Sequence, residues 1–281
     1  MSASLANLDG VIWRNGQLVA WDAADVHVLS HALHYSSAVF EGQRIYDGVV
    51  FELSAHIERL ARSAHLMGYR LPFSTDTLMA ACRTVIEAND IIDGYMRPIA
   101  WRGVGTMGVS ARDAPIDVAI AAWPWPSYFA SADHGVRMTV ATWRRPDPAT
   151  APVLSKTASV YAIGTLAKEA AEIDGFDDAL LLDWRGHVAE ATGANIFFVR
   201  EGTLHTPTAD AFLDGITRRT IMRLAKARGW TVIERFIAPE ELLSFDECFL
   251  TGSAAEVTLV RSIDEIAYSL GEVGRTLRDD Y

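Results

Sequence analysis

Over roughly the first 53 positions apolar residues alternate or gather in short runs, and then their spacing changes to three and four. Val11-Ile12-Trp13-Arg14 and Gln17-Leu18-Val19-Ala20 flank Asn15-Gly16, a dipeptide suited to a tight hairpin turn, so a β-hairpin is expected. Residues 26–29 read as a further sheet-like run. Residues 31–42 are instead rich in small residues and polar tips, a composition suited to the wall of a site. After an Asp47-Gly48 turn, residues 49–53 read as another strand. Ser54 is then placed to cap a helix that carries Ile57, Leu60, Ala61, Ala64 and Met67 on one face and stops at Gly68. A second helix is expected over about 76–88, with Leu78, Cys82, Val85 and Ile86 on its apolar side.

Strand chemistry returns over 95–101, a glycine-rich stretch follows at 103–108, and residues 118–123 form another apolar strand. Pro124 and Pro126 lack the N–H groups a ladder needs, so the sheet should end there. The pattern places a first domain at 1–123, a linker at 124–134 and a second domain at 135–281. In that second domain strands are expected at 136–143, 179–184, 195–199 and near 230–235. Helical spacing runs over 160–173, and Asp214-Gly215-Ile216-Thr217 opens a further helix that ends before Gly229.

Half of the 281 residues are hydrophobic and 22% are charged, enough apolar material for one large core or two modest ones. No apolar run approaches the roughly 18–20 residues of a bilayer-spanning helix, and the start has no signal-peptide pattern, so a cytoplasmic protein with no membrane partner is expected. The net charge of −11 argues against nucleic acid as a partner. Cys82 and Cys248 stand far apart with no Cys-x-x-Cys pairing; no disulfide and no metal site is expected, and both thiols should be buried.

Lys156 is one of few lysines, set among small uncharged neighbours, and Tyr161 follows at the start of a helical pattern. A lysine that bonds a carbonyl must be partly neutral near pH 7, through desolvation or a cationic neighbour. The alternative is a solvated lysine in the first turn of a helix. Glu190, in a turn flanked by glycine, is either a solvent-facing carboxylate or a partner for a protonated ring nitrogen. Gly215-Ile216-Thr217 offers unpaired N–H groups and a helix dipole to a phosphate, or is a plain helix cap. Tyr95 and Arg97 share one face of their strand, and an arginine turned inward needs an anion.

Together and in order, these stretches resemble the fold-type IV pyridoxal phosphate (PLP) enzymes, and within them the branched-chain amino acid aminotransferases. The resemblance rests on His31-Ala32-Leu33-His34-Tyr35, Val39-Phe40-Glu41-Gly42, His56 with Arg59-Leu60, Tyr95-Met96-Arg97-Pro98, Gly215-Ile216-Thr217-Arg218 and Gly252-Ser253-Ala254-Ala255-Glu256. It implies a two-domain α+β fold of the D-amino acid aminotransferase-like kind, a small α+β domain and a larger β-rich domain with helices, with PLP at their interface, in a homodimer or higher homo-oligomer. By the same resemblance Lys156 bonds PLP, Glu190 meets its ring nitrogen, Tyr161 its phenolic oxygen, and Arg59, Ile216, Thr217 and Ser253 its phosphate. Tyr95 and the backbone of Ser253-Ala254 would receive the substrate α-carboxylate, Arg97 with Tyr35 the second carboxylate of glutamate, and Phe40, Trp125 and Tyr128 an apolar side chain. The implied reaction is ping-pong amino transfer between Leu, Ile or Val and 2-oxoglutarate; a D-amino acid or R-amine transaminase, an aminodeoxychorismate lyase or a non-catalytic relative are the alternatives. Five residues depart from the family pattern: Val160 beside the lysine, Asp214 beside the phosphate-binding turn, and Arg102, Thr106 and Arg144 as unexpected polar residues.

Overall fold

The computed structural model describes residues 5, 8–105, 107–125, 129 and 134–281. The chain divides into two compact units, Met1–Pro126 with Ser155–Ser159, and Ser127–Leu154 with Val160–Tyr281. Most of 124–134, read as a linker, lies outside the described residues. The five residues around Lys156 go with the first unit, although composition alone put them in the second.

The first unit begins with the hairpin of β1 (Val11–Arg14) and β2 (Gln17–Ala20), as the Asn15-Gly16 turn requires. Next come α1 (His31–Tyr35), β3 (Ala38–Phe40), β4 (Gln43–Tyr46), β5 (Val49–Val50), α2 (Leu53–Leu66), α3 (Thr75–Ala88), β6 (Gly94–Arg102) and β7 (Ile116–Pro124). The sheet order is β2-β1-β7-β6-β4-β5, with β3 also paired to β6. Ile57, Leu60 and Ala64 of α2 and Leu78, Cys82 and Val85 of α3 bury against Ile45, Met96, Ala100, Val118 and Ile120 of the sheet. Asn89, just past α3, binds the Val11 N–H through Oδ1 at 2.8 Å and the Val11 carbonyl through Nδ2 at 2.9 Å, which ties the hairpin to that helix.

Three expectations fail here. Residues 26–29 form no strand: the Leu29 N–H turns back to His27 Nδ1 and the Ser30 N–H to the His27 carbonyl, leaving Val28 exposed. The strand at 49–53 stops at Val50, and Glu52, in the left-handed region with φ 51°, is the N-cap of α2. Ser54 lies inside the helix, where its hydroxyl donates to Glu58. By contrast Ser74 caps α3, accepting the Thr77 N–H at 3.1 Å.

The second unit contains β8 (Val136–Arg145), α4 (Tyr161–Ile173), β9 (Asp178–Asp183), β10 (Val188–Ala191), β11 (Asn195–Arg200), β12 (Thr203–Pro207), α5 (Ile216–Ala227), β13 (Val232–Arg235), β14 (Glu247–Gly252), β15 (Glu256–Ile263), β16 (Ile266–Ala267) and α6 (Glu272–Asp280). Its sheet runs β10-β9-β8-β15-β14-β11-β12-β13, with β16 on β15. β11 shows the period of two that a sheet buried on both faces demands. Ile196 and Phe198 enter one core with Leu180 and Leu250, while Phe197 and Val199 enter another with Ile221 and Leu277, from α5 and α6. Both cysteines are buried, and burial pushes the Cys82 thiol up to about 12. No helix among the described residues is long and apolar enough to cross a membrane.

Phe197 is fully buried and stacks on Phe249, with ring centroids 5.2 Å apart. Phe197→Ala should cost about 3–5 kcal/mol, lowering the thermal-unfolding midpoint by several degrees. Leu18→Ala, at an exposed position on β2, should leave that midpoint unchanged.

Candidate active site

In the first unit, backbone bonds clamp the half-buried Lys156 on both sides. Its N–H donates to Ser63 Oγ at 3.0 Å, and its carbonyl accepts the Phe40 N–H at 3.0 Å. Ser155 Oγ donates to the Ser63 carbonyl, and Thr157 Oγ1 to the Ala38 carbonyl. These bonds, and the bridge between Val39 and Thr157, draw the segment onto β3 and α2. Lys156 therefore precedes the helix instead of opening it, and α4 starts at Tyr161. The ammonium lies 5.1 Å from the Phe40 ring centroid.

Between β3 and β4, both paired to β6, stand Glu41 and Gly42. Glu41 is fully buried. Its Oε1 accepts Arg59 Nε at 2.7 Å, and its Oε2 lies 2.8 Å from Arg59 Nη2 and 2.7 Å from His56 Nδ1. Burial alone would raise the carboxyl pKa, but the Arg59 guanidinium and the His56 bond hold it far below the usual carboxylate range. For His56 burial dominates and lowers its pKa; Glu41 opposes this, while the charges of Arg59 and Lys156 reinforce it. Arg59 is thus oriented by a fork-on-fork carboxylate pair.

A Cβ on Gly42 would lie 1.8 Å from the Tyr95 hydroxyl, so glycine there makes room for that ring. Tyr95 packs against Trp123 and Trp125, with centroids 5.6 and 5.2 Å away. Arg97 does share its face: its guanidinium sits 5.5 Å from the Tyr95 ring and 4.7 Å from that of Phe40. Arg97 Nε and the indole nitrogens of Trp123 and Trp125 are buried without partners. Tyr35 is exposed and stacks on His31. Tyr128 and Thr106 lie outside the described residues.

In the second unit Glu190 is buried in β10, 3.0 Å from Arg145 Nη2 on one oxygen and 3.1 Å from Asn195 Nδ2 on the other. It is therefore not the solvent-facing carboxylate that a glycine turn suggests. Gly215 is the N-cap of α5, whose first turn buries Ile216 and Thr217. The buried Thr251 Oγ1 has no partner, and Thr251 is the sheet neighbour of Asn195. Ser253 and Ala254 form the half-buried turn between β14 and β15.

The profile of amino-transferase class IV matches residues 38–263. A probable branched-chain-amino-acid aminotransferase of Rickettsia felis is 42% identical over 274 residues, 96% of this chain and 94% of its own. This chain belongs to the class IV aminotransferases. Among solved structures, a branched-chain aminotransferase of Thermoproteus uzoniensis with norvaline matches at a TM-score of 0.94 and 36% identity, covering 97% of this chain and 93% of the other. A branched-chain amino acid aminotransferase from Thermobaculum terrenum, in its PLP-form, matches at 0.90 and 32%, covering 97% and 92%.

Two of the departures now have physical accounts within this aminotransferase. The Asp214 carboxylate is held by Arg218 at 2.9 Å and Arg219 at 2.7 Å, so its charge is balanced by arginines of α5 itself. Arg102 donates to the Met67 and Gly68 carbonyls at the end of α2. The Val160 carbonyl accepts Arg145 Nη1 at 3.1 Å, a main-chain bond that any residue there can make, and nothing in the structure explains the valine itself. Arg144 is exposed. Glu41, Arg145 and Asn195 received no role from sequence. The signal available was a charged or amide residue beside an otherwise apolar strand.

Because the Glu41 pKa is depressed in the folded chain, its contribution to stability is complete above the ordinary value of 4.5 and is lost as pH falls toward the folded value. Glu41→Gln strands Arg59 and should cost about 3–5 kcal/mol at neutral pH. It should also flatten the acid limb of a stability-against-pH curve measured by chemical denaturation; an unaltered acid limb would remove Glu41 from this account.

Proposed function

We propose that this class IV aminotransferase uses PLP to transfer the α-amino group of a branched-chain L-amino acid (Leu, Ile or Val) to 2-oxoglutarate, giving the matching 2-oxo acid and glutamate. The observation that carries the substrate assignment is Arg97, a cation lying against the aromatic faces of Phe40 and Tyr95. Such a surface takes an apolar side chain in one half-reaction and the second carboxylate of glutamate in the other. The names of the relatives support the same substrates.

The described residues fit the cofactor. Thr251 Oγ1 is a buried hydroxyl without a partner, Thr217 lies buried in the first turn of α5, and Glu190 is a buried carboxylate of the kind a protonated pyridine nitrogen needs. When bound, PLP supplies a ring that takes up the electrons left at the substrate Cα. Lys156 Nζ would hold the cofactor and would carry the Cα proton as base and then as acid. Glu190 keeps the ring nitrogen protonated, and the Tyr161 hydroxyl meets the phenolic oxygen. Arg59, held by Glu41, would bind the phosphate, as would Ile216, Thr217 and Ser253. Tyr95 and the backbone of Ser253-Ala254 receive the α-carboxylate, and Phe40, Trp125 and Tyr128 the apolar side chain.

We further place the protein in the cytoplasm as a homodimer. The run from Val26 to Tyr35 exposes Val28, Leu29, Leu33 and Tyr35, an apolar strip that a second copy would cover.

Lys156→Ala should lower transamination by at least about a thousandfold, and normal turnover in that variant would end the mechanism. Arg97→Ala should weaken 2-oxoglutarate and glutamate by about tenfold to a hundredfold in kcat/KM while leucine changes little. Equal losses would remove Arg97 from the carboxylate site. A donor screen with both enantiomers of each amino acid separates the L-specific reading from D-amino acid and R-amine transamination.

A further inference from the structure

Beside Glu190, Asn195 and Arg145 each make a second connection, to the starts of α5 and α4, elements that the proposed cofactor would also touch. Asn195 uses its whole amide: Nδ2 donates to Glu190 Oε2 at 3.1 Å and to the Leu213 carbonyl at 3.0 Å, and Oδ1 accepts the Gly215 N–H at 3.1 Å. Gly215 is the N-cap of α5, and the approach is so close that a Cβ there would stand 2.2 Å from Asn195 Oδ1. Arg145 binds the other carboxylate oxygen with Nη2 and sends Nη1 to the carbonyl of Val160, the residue before Tyr161. Both side chains are about 95% buried.

We propose that Asn195 and Arg145 are positioning residues that join Glu190 to the starts of α5 and α4, so that the ring-nitrogen carboxylate, the phosphate-binding turn and Tyr161 hold one fixed spacing. The inference rests on the assignment of Glu190 and the α5 turn to PLP. Its physical basis is the rigidity of the ligand. A flat ring with a phosphate on one side and a basic nitrogen on another is bound well only if its anchors are already correctly spaced. A carboxylate free to rotate would have to be ordered when the ring arrives.

The residue types follow from this task. Asn195 must donate twice and accept once in one plane, which neither aspartate nor a hydroxyl can do. Aspartate would also set a second carboxylate against Glu190. Arg145 must reach two acceptors with one rigid fork, whereas lysine offers a single flexible point. The pair also supplies the cation and the N–H that a buried carboxylate requires, which are needed whether or not the cofactor is bound.

The test is a double-mutant cycle on PLP affinity, read from the cofactor's visible absorbance as it is added to the full-length apoenzyme. Asn195→Ala and Glu190→Ala should each weaken PLP by about tenfold, and the double variant should be within about threefold of Glu190→Ala alone, because the two residues act as one unit. Asn195→Leu, close to asparagine in shape and uncharged, goes through the same cycle, so a folding failure of Asn195→Ala does not end the test. Arg145→Lys should recover more PLP affinity than Arg145→Gln, since it restores the charge and one bond.

Losses that multiply in the double variant would overturn the joining role and leave Glu190 as a cofactor contact. Glu190→Ala with unchanged PLP affinity would overturn the cofactor assignment, and this inference with it.

Discussion

A carboxylate withdrawn from water must find a cation or several N–H donors within hydrogen-bond reach, and two of those buried among the described residues, Glu41 and Glu190, fix elements of the candidate site. In the first unit Glu41 is matched by Arg59 and His56, both on α2. In the second, Glu190 is matched by Arg145 at the end of β8 and Asn195 at the start of β11. Each pairing fixes an element that carries a candidate site residue. α2 presents Arg59 and, through Ser63, the backbone of Lys156; β8 and β11 hold Glu190 between them.

Glycine supplies the complementary constraint, which is space. Gly42 leaves room for the Tyr95 hydroxyl, and Gly215 lets α5 approach the Asn195 amide. In both places the side chain that fills the space belongs to the candidate site or supports it. The arginines flanking Asp214 show the same economy of charge: a carboxylate next to the α5 turn is balanced by the helix that follows it, leaving the N-terminal dipole of α5 available to an anion.

Elements with a local cause were legible in the sequence. The Asn15-Gly16 hairpin, the stop at Gly68 and the opening of α5 at Gly215 follow from turn and cap chemistry within a few residues. Residues 26–29 misled because apolar content imitates a strand even where no neighbouring ladder exists. Ser54 misled because Glu52 took the cap in a left-handed conformation that composition does not announce. β15 and β16 received no assignment, and neither did α6, whose one apolar face is marked only by Val273 and Leu277, four positions apart. For the site, the shared face of Tyr95 and Arg97 was readable from strand period. The partners of Arg59 and Glu190 were not, because Glu41 lies 18 residues from Arg59 and Arg145 lies 45 positions before Glu190, separations that only tertiary folding closes.

The proposed chemistry stands on Lys156 as the covalent anchor of a pyridoxal phosphate cofactor. Reducing the purified enzyme with borohydride and mapping its peptides by mass spectrometry tests this most directly. A phosphopyridoxyl group on Lys156 is the predicted result. An unmodified Lys156, or the same group on Lys168 or Lys226, would exclude Lys156 as the anchor.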